Sequence, residues 1–161
     1  MKHTLVAWME DKPGVLNRIA SLFRRRNFII DSMSAGHSEV LGITRMTIVV
    51  DGDKTDVDQV VRQLYKIVNI TEIVDVTNDP CVVRELALIK VRANASTRRE
   101  IMQLVDIYRA KIVDVAQDSL MIEITGPEDR VNSLINLMRH FGIKEMVRTG
   151  RVVVVRGANG E

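Results

Sequence analysis

The chain has a single cysteine, Cys81, so no internal disulfide holds its fold, and no His or Asp cluster surrounds that thiol at metal-ligand spacing. A reducing, cytoplasmic setting is the expectation, with no metal site. Long apolar runs are also missing: nothing approaches the roughly 18 residues that a membrane span needs. Met1-Lys2-His3 leads straight into a short strand with no apolar signal segment, so neither secretion nor a membrane role is expected. Aromatic residues make up only 4%, and the candidate strand Arg45–Val50 carries none. That excludes an RNA-recognition sheet, which stacks bases on aromatic side chains. A net charge of +2 is too small to drive nucleic-acid or membrane binding. The one basic run, Arg24-Arg25-Arg26, ends a helix, where cations favour the negative end of the dipole. Catalytic constellations are equally scarce. His3, His37 and His140 lie far apart, and no nucleophile–base spacing occurs, so no catalytic residue is assigned. Asp114 and Glu123 would approach each other across a hairpin, but such a pair without a pocket reads as a solvated face.

What the chain does contain is one unit written twice. Strands are expected at Leu5–Met9, Ile29–Gly36, Ile43–Asp51 and Ile70–Thr77, with helices at Gly14–Arg26 and Lys54–Ile67. From about Val82 to Gly150 the order recurs. The strands there are Glu85–Ala93, Lys111–Ala116, Leu120–Thr125 and Lys144–Arg148, and the helices Thr97–Arg109 and Glu128–Phe141. The fold class is therefore α+β: two tandem ferredoxin-like βαββαβ units.

The helices carry apolar stripes at helical period. Val15, Leu16, Ile19, Leu22 and Phe23 share one side of the first, and Val131, Leu134, Ile135 and Met138 one side of the last. Such stripes read as core over one sheet face. Apolar residues on both parities, as in Leu86-Ala87-Leu88-Ile89, imply cover for the second face too, from the other unit or a partner. The polar turn Asn78-Asp79-Pro80-Cys81 divides the chain into domains at 1–79 and 80–161. Val152–Val155 reads as an extra strand, and Arg156–Glu161 as a frayed tail.

One segment offers a binding site. Asp11-Lys12-Pro13-Gly14-Val15-Leu16 joins the first strand to the first helix. Pro13 presets φ, and Gly14 lets the backbone approach a ligand closely. A helix start suits a carboxylate, and Asp11 suits an ammonium, so the loop would hold the zwitterionic head of a free amino acid. The competing reading makes Asp11 no more than the capping turn of the helix.

The stretch Asp11-Lys12-Pro13-Gly14-Val15-Leu16-Asn17-Arg18-Ile19 resembles the ACT-domain signature D-x-P-G-V-L-x-R-I of amino-acid-sensing domains. Arg45–Val50, Arg84–Val91, Lys111–Val115 and Arg148-Thr149-Gly150 follow in order. Together they resemble, over essentially the whole chain, the small regulatory subunits of acetolactate synthase (acetohydroxyacid synthase). The resemblance implies a non-catalytic subunit that activates a catalytic subunit and confers feedback inhibition by valine or another branched-chain amino acid. It assigns thiamine diphosphate, magnesium and FAD to that catalytic partner, and none of them to this chain. It implies a homodimer through the ACT domains with the effector at their interface, and a C-terminal domain facing the catalytic subunit. The effector contacts fall on Asp11, Gly14, Val15, Leu16, Ile29 and Ile30. A free-standing ACT-type sensor acting on a different enzyme is the alternative.

Two positions depart from the family pattern. Where the family reads R-G-x-N-I-[DE]-S, this chain has Arg26-Asn27-Phe28-Ile29-Ile30-Asp31-Ser32. Asn27 in place of Gly still tolerates a left-handed turn. Ile29 in place of Asn removes an amide that would bond the effector's polar head, a loss of about 0.5–1.5 kcal/mol. Any feedback then rests on backbone groups and Asp11. The second departure is Arg109-Ala110-Lys111, where the family has Gly in the middle.

Overall fold

The computed structural model describes residues 1–157, which group into two compact units. Unit 1 is Met1–Val82 together with the segment from Arg151, and unit 2 is Val83–Gly150. The terminal strand thus groups with unit 1 rather than with the 80–161 segment that chain order suggests. Residues 158–161, the end of the expected tail, lie outside the described residues.

Unit 1 runs β1 (Lys2–Glu10), α1 (Val15–Arg25), β2 (Ile30–His37), β3 (Ile43–Asp51), α2 (Val57–Tyr65) and β4 (Ile70–Asp75). Its sheet is antiparallel with order β2-β3-β1-β4. Alternate side chains of the central strands, Leu5, Ala7 and Met9 with Met46, Ile48 and Val50, point to one face. Ile19, Leu22 and Phe23 of α1 and Val60 and Leu64 of α2 cover that face. One residue of the expected α1 stripe departs: Leu16 is 55% exposed, because it lies at the edge of the buried arc in the first turn.

Unit 2 follows with β5 (Cys81–Arg92), α3 (Arg98–Ile107), β6 (Lys111–Val115), β7 (Ser119–Gly126), α4 (Glu128–Arg139) and β8 (Ile143–Arg148). The order β6-β7-β5-β8 repeats that of unit 1. Both units are ferredoxin-like, as the sequence pattern implies, and among the described residues no helix is long and apolar enough to cross a membrane.

The repetition extends to individual hydrogen bonds. The register slips between Trp8 and Met9 where β1 pairs with β4, and between Lys90 and Val91 where β5 pairs with β8. After α1, Phe28 N–H bonds the Phe23 carbonyl (3.0 Å), and after α3, Ala110 N–H bonds that of Val105 (2.9 Å). Both are the long bond of a Schellman cap, whose turn needs a left-handed residue. Asn27 takes that place at φ 54°, and Arg109 at φ 53°. The positive φ in unit 2 therefore falls one residue before Ala110, and Ala110 itself carries no left-handed strain.

The second sheet faces differ. In unit 1 the terminal segment carrying β9 (Val152–Val155) meets it. Arg151 donates to Thr4 Oγ1 (2.9 Å), Arg45 donates to the Val153 carbonyl (2.7 Å), and the Arg45 guanidinium lies 5.1 Å from the Trp8 ring centre. Arg156 N–H reaches the Pro80 carbonyl at 2.7 Å, within the same unit. In unit 2, Ala87, Ile89 and Val91 are buried while Leu86, Leu88 and Lys90 are half-buried. Cover of the second face is accordingly weaker there than the two-sided apolar pattern implies. The two carboxylates of the β6–β7 hairpin are not cross-strand partners: Asp114 stands opposite Met121, and Glu123 opposite Lys111.

Ile48 is fully buried between Leu5 and Met33 on the central strand β3. Ile48→Ala is expected to lower stability by about 2–5 kcal/mol, read as a fall in the urea midpoint with an unchanged slope.

Candidate functional site

The loop after β1 is held from two directions by its own backbone. Glu10 N–H donates to the Asn69 carbonyl (2.9 Å), and Asp11 N–H to the Gly42 carbonyl (2.8 Å). The first bond ties the loop to the turn before β4 and the second to the β2–β3 hairpin. Lys12 Nζ closes on Glu10 Oε2 at 3.0 Å. The chain then enters α1 through Gly14 at φ 85°, ψ −7°, and Arg18 N–H begins the helical ladder on the Gly14 carbonyl (2.9 Å).

That entry bears on the capping reading of Asp11. An N-cap residue ordinarily sits in the extended region and offers a side-chain oxygen to the first turn. Here the N-cap is a left-handed glycine, no side chain caps α1, and no acidic residue lies in its first turn. Asp11 is not a cap. Its carboxylate is half-exposed, and its neighbour is His37 Nδ1 at 3.6 Å.

Asp11, Gly14, Val15 and Leu16 line one cavity of about 230 Å³, together with Glu10 and Thr44. Pockets for drug-sized ligands run to roughly 300–1,000 Å³, so this one suits a smaller metabolite. The side chains play unequal parts. Leu16 presents an exposed isobutyl group, whereas Val15 is only 3% exposed and belongs to the core, where it fixes the helix start. A side chain at Gly14 would meet nothing within 4 Å, so space is open beside the helix entry.

Ile29 and Ile30 do not line this cavity. Ile29 is 53% exposed just ahead of β2, and its N–H is engaged by Thr55 Oγ1 at 3.1 Å. Ile30 starts β2 opposite Val50 and packs against the core. Within one chain, then, the site residues fall into two groups. Two neighbours escaped the sequence reading, Thr44 and His37. Thr44 stands opposite Met9 on one side and His37 on the other, so the β2–β3 register brings both to the loop. Only that register carries the signal, and the five-residue hairpin connection between the strands hides it from a linear reading.

The repeated framework and the β1–α1 site define the class: a tandem ferredoxin-like protein whose first unit is an ACT domain. Residues 5–72 match the family described as the AHAS small subunit-like ACT domain, and residues 84–157 the family described as the small subunit of acetolactate synthase. A probable acetolactate synthase small subunit of Archaeoglobus fulgidus is 51% identical over 157 residues, covering 98% of both chains. The acetolactate synthase small subunit of Mycolicibacterium smegmatis is 46% identical over 158 residues, covering 98% of this chain and 93% of its own. In three dimensions, the crystal structure of the acetolactate synthase small subunit from Thermotoga maritima matches with a TM-score of 0.90 at 38% identity, covering 99% of each chain. The chain belongs to the acetolactate synthase small-subunit family.

Gly14→Ala is expected to cost about 1–2 kcal/mol, because the left-handed backbone strains any Cβ even where space is open. Gly36→Ala, at an ordinary φ with nothing within 4 Å, serves as the near-neutral comparison in the same urea titration.

Proposed function

We propose that this chain is the non-catalytic regulatory subunit of an acetolactate synthase, activating the catalytic subunit and conferring feedback inhibition by valine or another branched-chain amino acid. The observation that carries the effector assignment is the joint placement of Asp11, Gly14 and Leu16 on one small cavity, in a chain similar to small subunits along its whole length. In this reading Asp11 meets the ammonium, backbone at Gly14 and Ile30 meets the carboxylate, and Leu16 and Ile29 meet the branched side chain. Ile29 and Ile30 would come from a second copy, since within one chain they stand apart from the cavity, and the effector would close two ACT domains onto each other. Inhibition follows if the ligand binds one arrangement of that dimer better than another.

Thiamine diphosphate, magnesium and FAD would belong to the catalytic partner. In this chain, among the described residues, no three His, Cys, Asp or Glu side chains gather in a way that could hold a metal ion. Unit 2 would provide most of the contact with that partner, in the cytoplasm.

The test is acetolactate formation by the cognate catalytic subunit, with and without this chain, across a valine titration. Stimulation that valine reverses is expected. Absence of stimulation with an active catalytic subunit overturns the assignment in favour of a free-standing amino-acid sensor. Ile29→Asn, which supplies the family's amide, is expected to lower the half-inhibitory valine concentration about two- to tenfold. An unchanged concentration removes position 29 from the site.

A further inference from the structure

Unit 2 rebuilds the corner that carries the site in unit 1, but with the opposite charge. Arg92 N–H donates to the Gly142 carbonyl (2.8 Å), as Glu10 N–H does to that of Asn69 (2.9 Å). Ala93 N–H donates to the Asp118 carbonyl (3.0 Å), as Asp11 N–H does to that of Gly42 (2.8 Å). These bonds align the two loops residue by residue. Arg92 stands where unit 1 has Glu10, and Ala93 stands where unit 1 has Asp11. The acidic group able to meet an ammonium is gone, and a guanidinium has replaced its neighbour.

The corner in unit 2 also opens into a cavity, of about 520 Å³, within the range of pockets that hold metabolites. Arg92, Asn94, Thr97, Asp118, Phe141 and Lys144 line it. Its lining has one carboxylate, and that one is already engaged. Lys144 Nζ lies 2.8 Å from Asp118 Oδ2, and this bond together with the ammonium's charge holds the Asp118 carboxyl below its usual range. Arg92 is different: among the described residues its guanidinium has no hydrogen bond or ion pair. The stem of Arg92 is held against the chain, since a Cβ at Gly142 would come within 3.1 Å of its Cδ. Gly142 at φ 97° keeps that space clear. The lining therefore carries one uncompensated positive charge, and it includes the apolar side chain of Phe141.

We infer that this cavity is a second ligand site, taking a small carboxylate that has an apolar body and no ammonium group. The planar fork of Arg92 pairs with the carboxylate, a geometry that a guanidinium matches through two parallel hydrogen bonds. Phe141 covers the apolar body. A free amino acid is rejected here, because its ammonium would face Arg92 and Lys144 with the only acidic group occupied. The two units would thus sort ligands by charge: a zwitterion at Asp11, a simple anion at Arg92.

The test is a nitrogen-15 NMR titration of the full chain with three probes in turn. These are ketoisovalerate, which is valine with its amine replaced by a ketone, then valine, then inorganic phosphate. Saturable shifts at Ala93, Asn94, Thr97 and Gly142 with ketoisovalerate alone are the expected result. Arg92→Gln is expected to weaken that binding about tenfold or more, and Arg92→Lys, which keeps the charge without the fork, by less. Arg92 is solvent-exposed, so both variants keep the fold, and their unliganded spectra verify it. No saturable shift, an equal response to valine or phosphate, or unchanged affinity in Arg92→Gln each overturns the proposal. Shifts at Asp11–Leu16 with valine are read in the same spectra, so the proposed effector site stands or falls separately.

Discussion

Two backbone hydrogen bonds, from Glu10 to Asn69 and from Asp11 to Gly42, fix the loop on which the functional geometry of unit 1 depends. They are possible because β1 is the inner strand that pairs with both β3 and β4, so its last residues reach connections on either side. With the loop pinned, the chain must turn sharply into α1, and only a left-handed residue makes that turn; Gly14 supplies it. The glycine leaves the helix entry without a side-chain cap. Asp11 is then free to face solvent and His37 rather than the helix. Strand order, loop tether, glycine and cavity form one causal chain.

The same tether recurs in unit 2 on different residues, with a matching slip in the inner strand and a left-handed residue at the matching place after the helix. Backbone hydrogen bonds depend little on side-chain identity, so the framework survives where the residues do not. What changes is the charge carried to the corner: Glu10 and Asp11 in one unit, Arg92 and Ala93 in the other. A framework that persists while its corner residues change leaves the chemistry of each corner to its own side chains.

Much of this was legible in the sequence, for identifiable reasons. β3 at Ile43–Asp51 and β9 at Val152–Val155 agree residue for residue, since β-branched runs bounded by polar residues leave little choice. The glycine and proline around Asp11 mark the loop because backbone constraints are written in those two residue types. Exposure was less legible. Leu16 sits on the apolar stripe of α1 yet faces outward, since helical period gives direction around an axis but not where the neighbouring elements stop. Asp114 and Glu123 do not stand opposite each other because the β6–β7 register sets Asp114 against Met121 and Glu123 against Lys111, and no residue type announces that register. The roles of Thr44 and His37 were hidden for a related reason: strand pairing is non-local, and a linear reading carries no register.

In the proposed function an amino-acid effector would be held between the Asp11–Leu16 loop of one chain and the Ile29–Ile30 segment of another. The most direct measurement is a crystal structure of the full chain grown with valine. The expected result is valine with its ammonium at Asp11 and its side chain against Leu16 and a second chain's Ile29. Valine bound wholly within one chain, or bound at another place on a dimer that leaves the Asp11 loop empty, would contradict it.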